Sequence, residues 1–392
     1  MYSEEPAPTP DEIQFNTSSI YSVPPGYTAW EIRNDYPAPK PDDVAPEGPP
    51  IGTLDAPWLN VDPISNPQYY LEIIKTYCFD GMINNDFIPQ KNKTWAIGFY
   101  NSAGASVFGG MWKDPSNPDW STDAKFPVGS LVFKFLLTNA DDEELPILKG
   151  APTWDALIAI QPADKTKSPN PKNRDLENPK PLRLLQMDIA TRDDRSTTGW
   201  MFGTFMYYGR PGQCVVSGYD ALIPVGLQWG NDPELTQAAF EAGEKPTQVW
   251  INPEATDVRV ALHGGRPSWG WNGRLNGPAD NFISACASCH STAQWPANFN
   301  MVPPAPIQKN GKFVPKDDTQ TMKWFTNIPC GTAISEGSVS GDYSLQLLIG
   351  YQNFQVWKSK QQPTKPSDED KLPGAPITNL PTHPRQGPHF EF

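Results

Sequence analysis

The sequence predicts a mainly β protein with few helices: an antiparallel sheet body followed by a helical and loop segment near the C-terminus. Three observations carry this. Proline, at 45 of 392 residues, is more than twice as frequent as in ordinary domains, which works against long helices. The 14 tryptophans and 18 phenylalanines supply bulky packing rings, while charged residues make up only 19% of the chain, below the usual quarter or so. Several short runs also alternate in hydrophobicity or stay apolar between turn signals, as half-buried and fully buried strands do.

Taken in order, residues 1–57 are a proline-punctuated arm whose composition resists forming its own core. The arm is expected to trail free or to lie over the body or another subunit. "SNPQYYLEIIKTYC" (65–78) then opens with Asn66 as a cap and Pro67 at the first helical position, so the folded body begins with a helix. "TWAIGFYN" and "ASVFGGMW", joined around Ser102 to Gly104, read as a hairpin. "SLVFKFLL" places Leu131, Phe133 and Phe135 on one face, and "LRLLQMDIA" does the same for Leu185, Met187 and Ile189. The polar, proline-punctuated stretch 163–181 between them is too long for a tight turn and reads as a surface loop. "GWMFGTFMYY" is a further strand. Residues 231–243 read as a short capped helix, "TQVWIN" and "DVRVALH" as strands, and the stretch from Gly277 as a helix leading into a cysteine pair. Near the end, Leu347, Leu348, Tyr351 and Phe354 share one helical stripe. The domains expected are therefore an arm (1–57), a β-rich domain (58–270), a helical and loop segment (271–360) and a proline-rich tail (361–392).

The formal charge of -13 argues against a nucleic-acid partner, because such binding draws on basic residues that neutralise phosphates. An acidic surface favours basic partners instead. The longest apolar run, "VGSLVFKFLL", is too short to span a bilayer and carries a lysine, so no membrane-spanning segment is expected. The acidic run "DDEEL" (141–145) reads as a solvated face.

"CASCH" (286–290) carries the chemistry. Cys286, Cys289 and His290 make C-x-x-C-H, the signature of c-type haem attachment. Each thiol adds across one vinyl group, and the next residue presents its imidazole to the iron. At this chain's residue frequencies the pattern arises by chance in about six of ten thousand such chains, so coincidence is a poor account of it. A structural zinc site needs four ligands, and the remaining cysteines (Cys78, Cys214, Cys330) and histidines (His263, His383, His389) are isolated. A thioredoxin-type pair belongs in a βαβ unit, which is not the pattern here.

The stretch "GRLNGPADNFISACASCHS" resembles bacterial periplasmic monohaem c-type cytochromes across about residues 270–295. A further resemblance runs to the hydroxylamine-oxidising c-type cytochromes with a lysine-crosslinked haem and to the beta-type cytochromes c-prime. In those families an antiparallel sheet with an "FPxGT-x-x-x-K" strand precedes a late C-x-x-C-H. Here "FPVGSLVFK" (126–134) and "GWMFGTF" (199–205) keep that order, with serine at the threonine position and a much longer insertion between Tyr208 and Cys286. The crosslinking lysine is assigned to no residue.

The resemblance implies one covalent haem c, export to the periplasm or beyond, and a leader already removed. In an oxidising compartment, one disulfide among Cys78, Cys214 and Cys330 is expected, with Cys214–Cys330 favoured because Cys78 ends an amphipathic helix. The sixth iron ligand stays open between Met322, Met301, His263 and none: methionine or histidine suits electron transfer, whereas an open face suits peroxide or nitrogen-oxide chemistry, with Phe202 or Phe205 above it. Arg266 and Arg274, with Trp269 and Trp271 between them, are candidates for contacting the propionates and ring edge. The expected role is electron transfer to a redox partner with a basic docking surface. The alternatives are a haem enzyme or gas-binding protein, and a structural subunit of a larger redox complex or oligomer held through the proline-rich arms.

Overall fold

The computed structural model describes residues 56–83, 88–90, 96–114, 117–156, 178, 180–212, 218–262 and 266–361. All but the first residue of the expected tail and nearly all of the expected arm lie outside the described residues, as do most of the 163–181 loop, Cys214 and His263. The body is mainly β, built on an eight-stranded antiparallel sheet. The chain runs through α1 (Pro67–Ile83), β1 (Ile88–Gln90), β2 (Ala96–Tyr100), α2 (Ser102–Met111), β3 (Leu131–Thr138), β4 (Thr153–Ala156), β5 (Lys180–Arg192), β6 (Trp200–Tyr207) and β7 (Leu222–Gln228). There follow α3 (Gln237–Glu241), β8 (Val249–Ile251), α4 (Pro253–Leu262), α5 (Cys286–His290), β9 (Gln294–Trp295), β10 (Ile307–Lys309), β11 (Lys312–Val314), α6 (Asp318–Thr321), β12 (Val339–Ser340) and α7 (Leu345–Gln361). Sheet neighbours run β1-β2-β3-β5-β6-β7-β8, with β4 paired to the start of β5. Among the described residues no helix is long and apolar enough to cross a membrane.

The pleat gives this sheet two different faces. One face carries Leu131, Phe133 and Phe135 from β3, Met187 and Ile189 from β5, and Met201, Phe205 and Tyr207 from β6; Tyr70, Leu71 and Ile74 of α1 cover it. Leu184 joins this set and Leu185 packs partly buried against it, where the β3–β5 register shifts at Leu136/Leu137 and skips Leu185. Gly203 lies directly under α1: a Cβ there would stand 2.5 Å from Leu71 and 2.9 Å from Ile189. The other face carries Val132, Lys134, Asp188, Ala190, Trp200, Phe202 and Thr204. Residues from α2, α5 and α7 pack over its Ala190–Trp200–Phe202 part. All eight residues of β6 are buried, since both of its faces are covered.

Four expectations are corrected. The second half of the expected hairpin is the helix α2, because Asn101 caps it: its side chain accepts from the Gly104 amide at 3.0 Å and also from the Leu131 amide at 3.0 Å. The described part of "DVRVALH", residues 257–262, belongs to α4 rather than to a strand. Pro253 takes its first position, and the Asn252 side chain accepts from the Glu254 amide at 3.1 Å. Residues 277–285 form turns rather than a helix. There Asn281 accepts from the Ile283 amide and the Ser284 hydroxyl, and Asn276 donates to the Asn281 carbonyl, so side chains take over backbone pairing. The capped helix expected at 231–243 shrinks to α3 behind Thr236, because the Asp232 carboxylate is spent on the Thr247 and Gln248 amides. α7 presents Leu347, Leu348 and Phe354 inward, as its stripe predicts.

The expected boundary at residue 271 is not a boundary between cores. Ala287, Trp295, Tyr343 and Leu347 from the C-terminal segment pack with Phe126, Ala190, Trp200 and Phe202 from the sheet.

Candidate functional site

The C-x-x-C-H residues form α5 itself, a single helical turn laid on β6 and β7. Its first turn is tied down twice: the Cys286 amide donates to the Leu275 carbonyl at 2.9 Å, and the Ala287 amide to the side chain of buried Gln228 at 3.2 Å. Ser288 closes the turn, its hydroxyl accepting from the Ala285 amide at 2.8 Å. Cys286, Cys289 and His290 are the partly exposed positions of α5, whereas Ala287 and Ser288 are buried. The three reactive side chains therefore share the accessible side of the turn, as attachment of one flat ligand requires.

His290 is held in a defined state. Its Nδ1 lies 2.8 Å from the Tyr343 carbonyl oxygen. A carbonyl only accepts, so Nδ1 carries the proton and Nε2 keeps its lone pair. Burial pushes the imidazole down to about 4, so it is neutral at pH 7. Its ring rests on Phe202, 4.9 Å between centroids. A small pocket opens beside it, bordered by Tyr100, Phe126, Val132, Trp200 and Tyr343.

A polar row runs across the sheet to Cys286. Register places Lys134 of β3 opposite Asp188 of β5, and Asp188 opposite Thr204 of β6. Lys134 pairs with Asp188 at 3.2 Å, and Thr204 donates to the same carboxylate at 3.0 Å. Gln186 bridges Asp188 (2.7 Å) to Asp280 (2.9 Å). The Cys286 sulfur is 4.0 Å from the Thr204 hydroxyl and 3.7 Å from the Asn276 carbonyl oxygen. Burial and the two nearby carboxylates drive the Cys286 thiol well above its ordinary range, and burial with Asp280 pushes Cys289 up to about 12. Burial also raises Asp188, reinforced by Asp280 and opposed by Lys134. Desolvation would lower Lys134, but Asp188 and Asp280 outweigh it and lift the ammonium to about 12.

These thiols are unlike those of a redox pair. They are unbridged and held protonated, whereas exchange-active cysteines have depressed values. A thioether carries no charge to desolvate and is at home in this surrounding. The residues present thus fit a tethered haem: two neutral sulfurs, a neutral imidazole with a free Nε2, and an outer partner on Nδ1 of the kind that orients ligating histidines. Among the described residues no three His, Cys, Asp or Glu side chains gather into a metal cage.

The other candidates lie elsewhere. Arg274 is fully buried and spends its guanidinium on the carbonyls of Asn231 (2.8 Å), Asp232 (2.7 Å), Leu235 (3.0 Å) and Trp271 (3.2 Å), above the Phe325 ring. Four of its five N–H donors are thus spent within the protein, and the side chain is fully buried. Trp271 is buried with Ala285, Trp324 and Phe325, and Met322 packs against that cluster, which contains none of Cys286, Cys289 and His290. Met301 is half-buried and belongs to no hydrophobic cluster. Arg266 clamps its own loop through the carbonyls of Ser268, Gly277 and Pro278. Phe205 faces the opposite core. His263 lies outside the described residues, and so does Cys214 with its expected partnership to Cys330.

Sequence reading passed over Lys134, Asp188, Thr204, Asp280 and Tyr343. A signal was present for the first two: one lysine inside "LVFKFLL" and one aspartate inside "LLQMDIA" are opposite charges set in otherwise apolar strands. Comparison with protein-family models, curated proteins and solved structures gives no match to this chain.

Proposed function

We propose that the chain is an exported monohaem c-type cytochrome that binds one haem c through Cys286 and Cys289, with His290 as proximal ligand, and acts in electron transfer. The observation that carries this reading is the state of His290. Its proton sits on Nδ1 against the Tyr343 carbonyl, which leaves Nε2 as a neutral donor on the same accessible side of α5 as both thiols. When bound, the haem supplies a one-electron couple and an iron site for small ligands. The chain's own residues fix the imidazole, shelter the two sulfurs and hold a paired ammonium and carboxylate beside them. Haem of this kind is attached outside the cytoplasm, so the reading includes export and a partner with basic character to match the charge of -13.

A second reading, an iron with an open sixth position that binds peroxide or nitrogen oxides, is favoured by one observation. Met322 packs with the Trp271–Trp324–Phe325 cluster, whereas the surroundings of Cys286 are polar through Lys134, Asp188, Thr204 and Asp280.

The test is expression in a host that matures c-type cytochromes, followed by acid-acetone extraction and visible spectra. Colour retained by the parent and lost in a Cys286→Ala/Cys289→Ala double variant is the expected result; colour extracted from the parent contradicts the proposal. A reduced spectrum unchanged by carbon monoxide supports electron transfer, and a changed one supports the open site.

A further inference from the structure

We propose that Asp342 is a positioning residue for the proximal imidazole, aiming the Tyr343 carbonyl at His290 Nδ1; this rests on the haem reading above. Asp342 and Tyr343 are consecutive non-glycine residues in the left-handed region, with φ of 46° and 65°. L-residues avoid that conformation, and a pair of them persists only where the surroundings over-determine it. The surroundings here are specific. The Asp342 carboxylate, 2% exposed, accepts from the Phe126 amide ahead of β3 at 2.8 Å, from Trp200 Nε1 on β6 at 3.0 Å and from the Gly331 amide at 2.9 Å. Its own amide donates to the Ser340 hydroxyl at 3.0 Å. The next residue is pinned at its far end too, Tyr343 Oη donating to the Ile328 carbonyl at 2.5 Å.

The same carboxylate governs a second contact. Trp200, held through its Nε1, lies 6.5 Å from Phe202, and Phe202 is the ring on which His290 rests. One side chain thus fixes both the acceptor for Nδ1–H and the platform under the imidazole. A carbonyl held at 2.8 Å polarises the imidazole and strengthens its donation through Nε2, which a loosened carbonyl does less well.

The test uses the full-length haem protein. Resonance Raman of the reduced form in its five-coordinate state, reached by photodissociating the sixth ligand where one is bound, reads the iron–imidazole stretch, and voltammetry reads the potential. Asp342→Asn is expected to lower the stretching frequency and raise the potential. Since removing a negative charge alone raises a potential, Trp200→Phe is the second variant: it keeps the ring and the charge, deletes one of the three donors, and is expected to move the stretch the same way by a smaller amount. Asp193→Asn, in the opposite core, is the control for general destabilisation and is expected to leave the stretch unchanged. A parental stretch in both Asp342→Asn and Trp200→Phe overturns the proposal, as does an equal shift in the control. If Asp342→Asn does not fold, Trp200→Phe alone decides. A parent protein without tethered haem refutes the underlying reading instead, so the two failures are distinguishable.

Discussion

At the scale of single residues, the haem reading turns on how Cys286, Cys289 and His290 are held. Cys286 and Cys289 are held as thiols by burial and by Asp280, and His290 as a neutral base by burial, the forms suited to two thioethers and one nitrogen ligand. C-x-x-C-H was legible in the sequence because its chemistry depends on residue type and spacing alone. The role of Arg274 was not, because nearness to the motif says nothing about where a guanidinium points. Arg274→Met is expected to leave the buried carbonyls of Asn231, Asp232 and Leu235 without their donor and to cost about 3 kcal/mol. Haem content per folded chain should stay unchanged; urea midpoints and the haem-to-protein absorbance ratio check the two halves. Asp193 sets a pH limit. Burial would raise it, but Arg195 at 2.6 Å and the Tyr70 hydroxyl at 2.9 Å outweigh burial and hold it below its ordinary 3.8. The folded chain therefore binds this proton less readily than the unfolded one. The stabilisation is complete above pH 3.8 and lost as pH falls through the lower folded value. Acid titration of Asp193→Asn, followed by circular dichroism, should show a shallower acid limb than the parent. Asp193→Ala should cost about 1–3 kcal/mol in denaturant at pH 7, since the Arg195 it leaves behind is partly hydrated.

At the scale of elements, the strands were legible where one face is apolar and the other mixed. β3 shows this best: Leu131, Phe133 and Phe135 enter the α1 core while Lys134 turns toward α5. What failed was the junction chemistry. Asn-Pro opens both α1 at 66–67 and α4 at 252–253, yet the apolar spacing after Pro253 reads equally well as a strand. Asn101 ends β2 and caps α2 at once, and in sequence that looks like a hairpin turn. The 277–285 stretch failed the other way, because Asn276 and Asn281 draw its polar groups into side-chain bonds. Close packing of α1 on the sheet gives a test: Gly203→Ala drives a methyl into Leu71 and Ile189 and is expected to destabilise by about 1–3 kcal/mol, read from the shift in urea midpoint with an unchanged slope.

At the scale of the whole molecule, one sheet serves two purposes: its α1 face is the largest apolar core, and its other face receives the C-x-x-C-H turn. The sequence places a segment with the C-x-x-C-H motif at 271–360 after a β domain, because the residue pattern changes from Gly277, but such a pattern carries no information on shared packing. Ala287, Tyr343 and Leu347 share a core with Phe126, Trp200 and Phe202, so the motif is presented by the sheet rather than by a separate carrier. Thermal unfolding followed by haem absorbance and by far-ultraviolet dichroism should accordingly give coincident transitions; separate transitions would mark independent domains. The size of the chain, far beyond what a small carrier requires, is accounted for in the same way. Intact mass spectrometry under denaturing conditions tests the central claim most directly. The purified chain from a cytochrome-maturing host should weigh its polypeptide plus one haem, and the Cys286→Ala/Cys289→Ala variant its polypeptide alone. A parent chain at bare polypeptide mass would contradict the account.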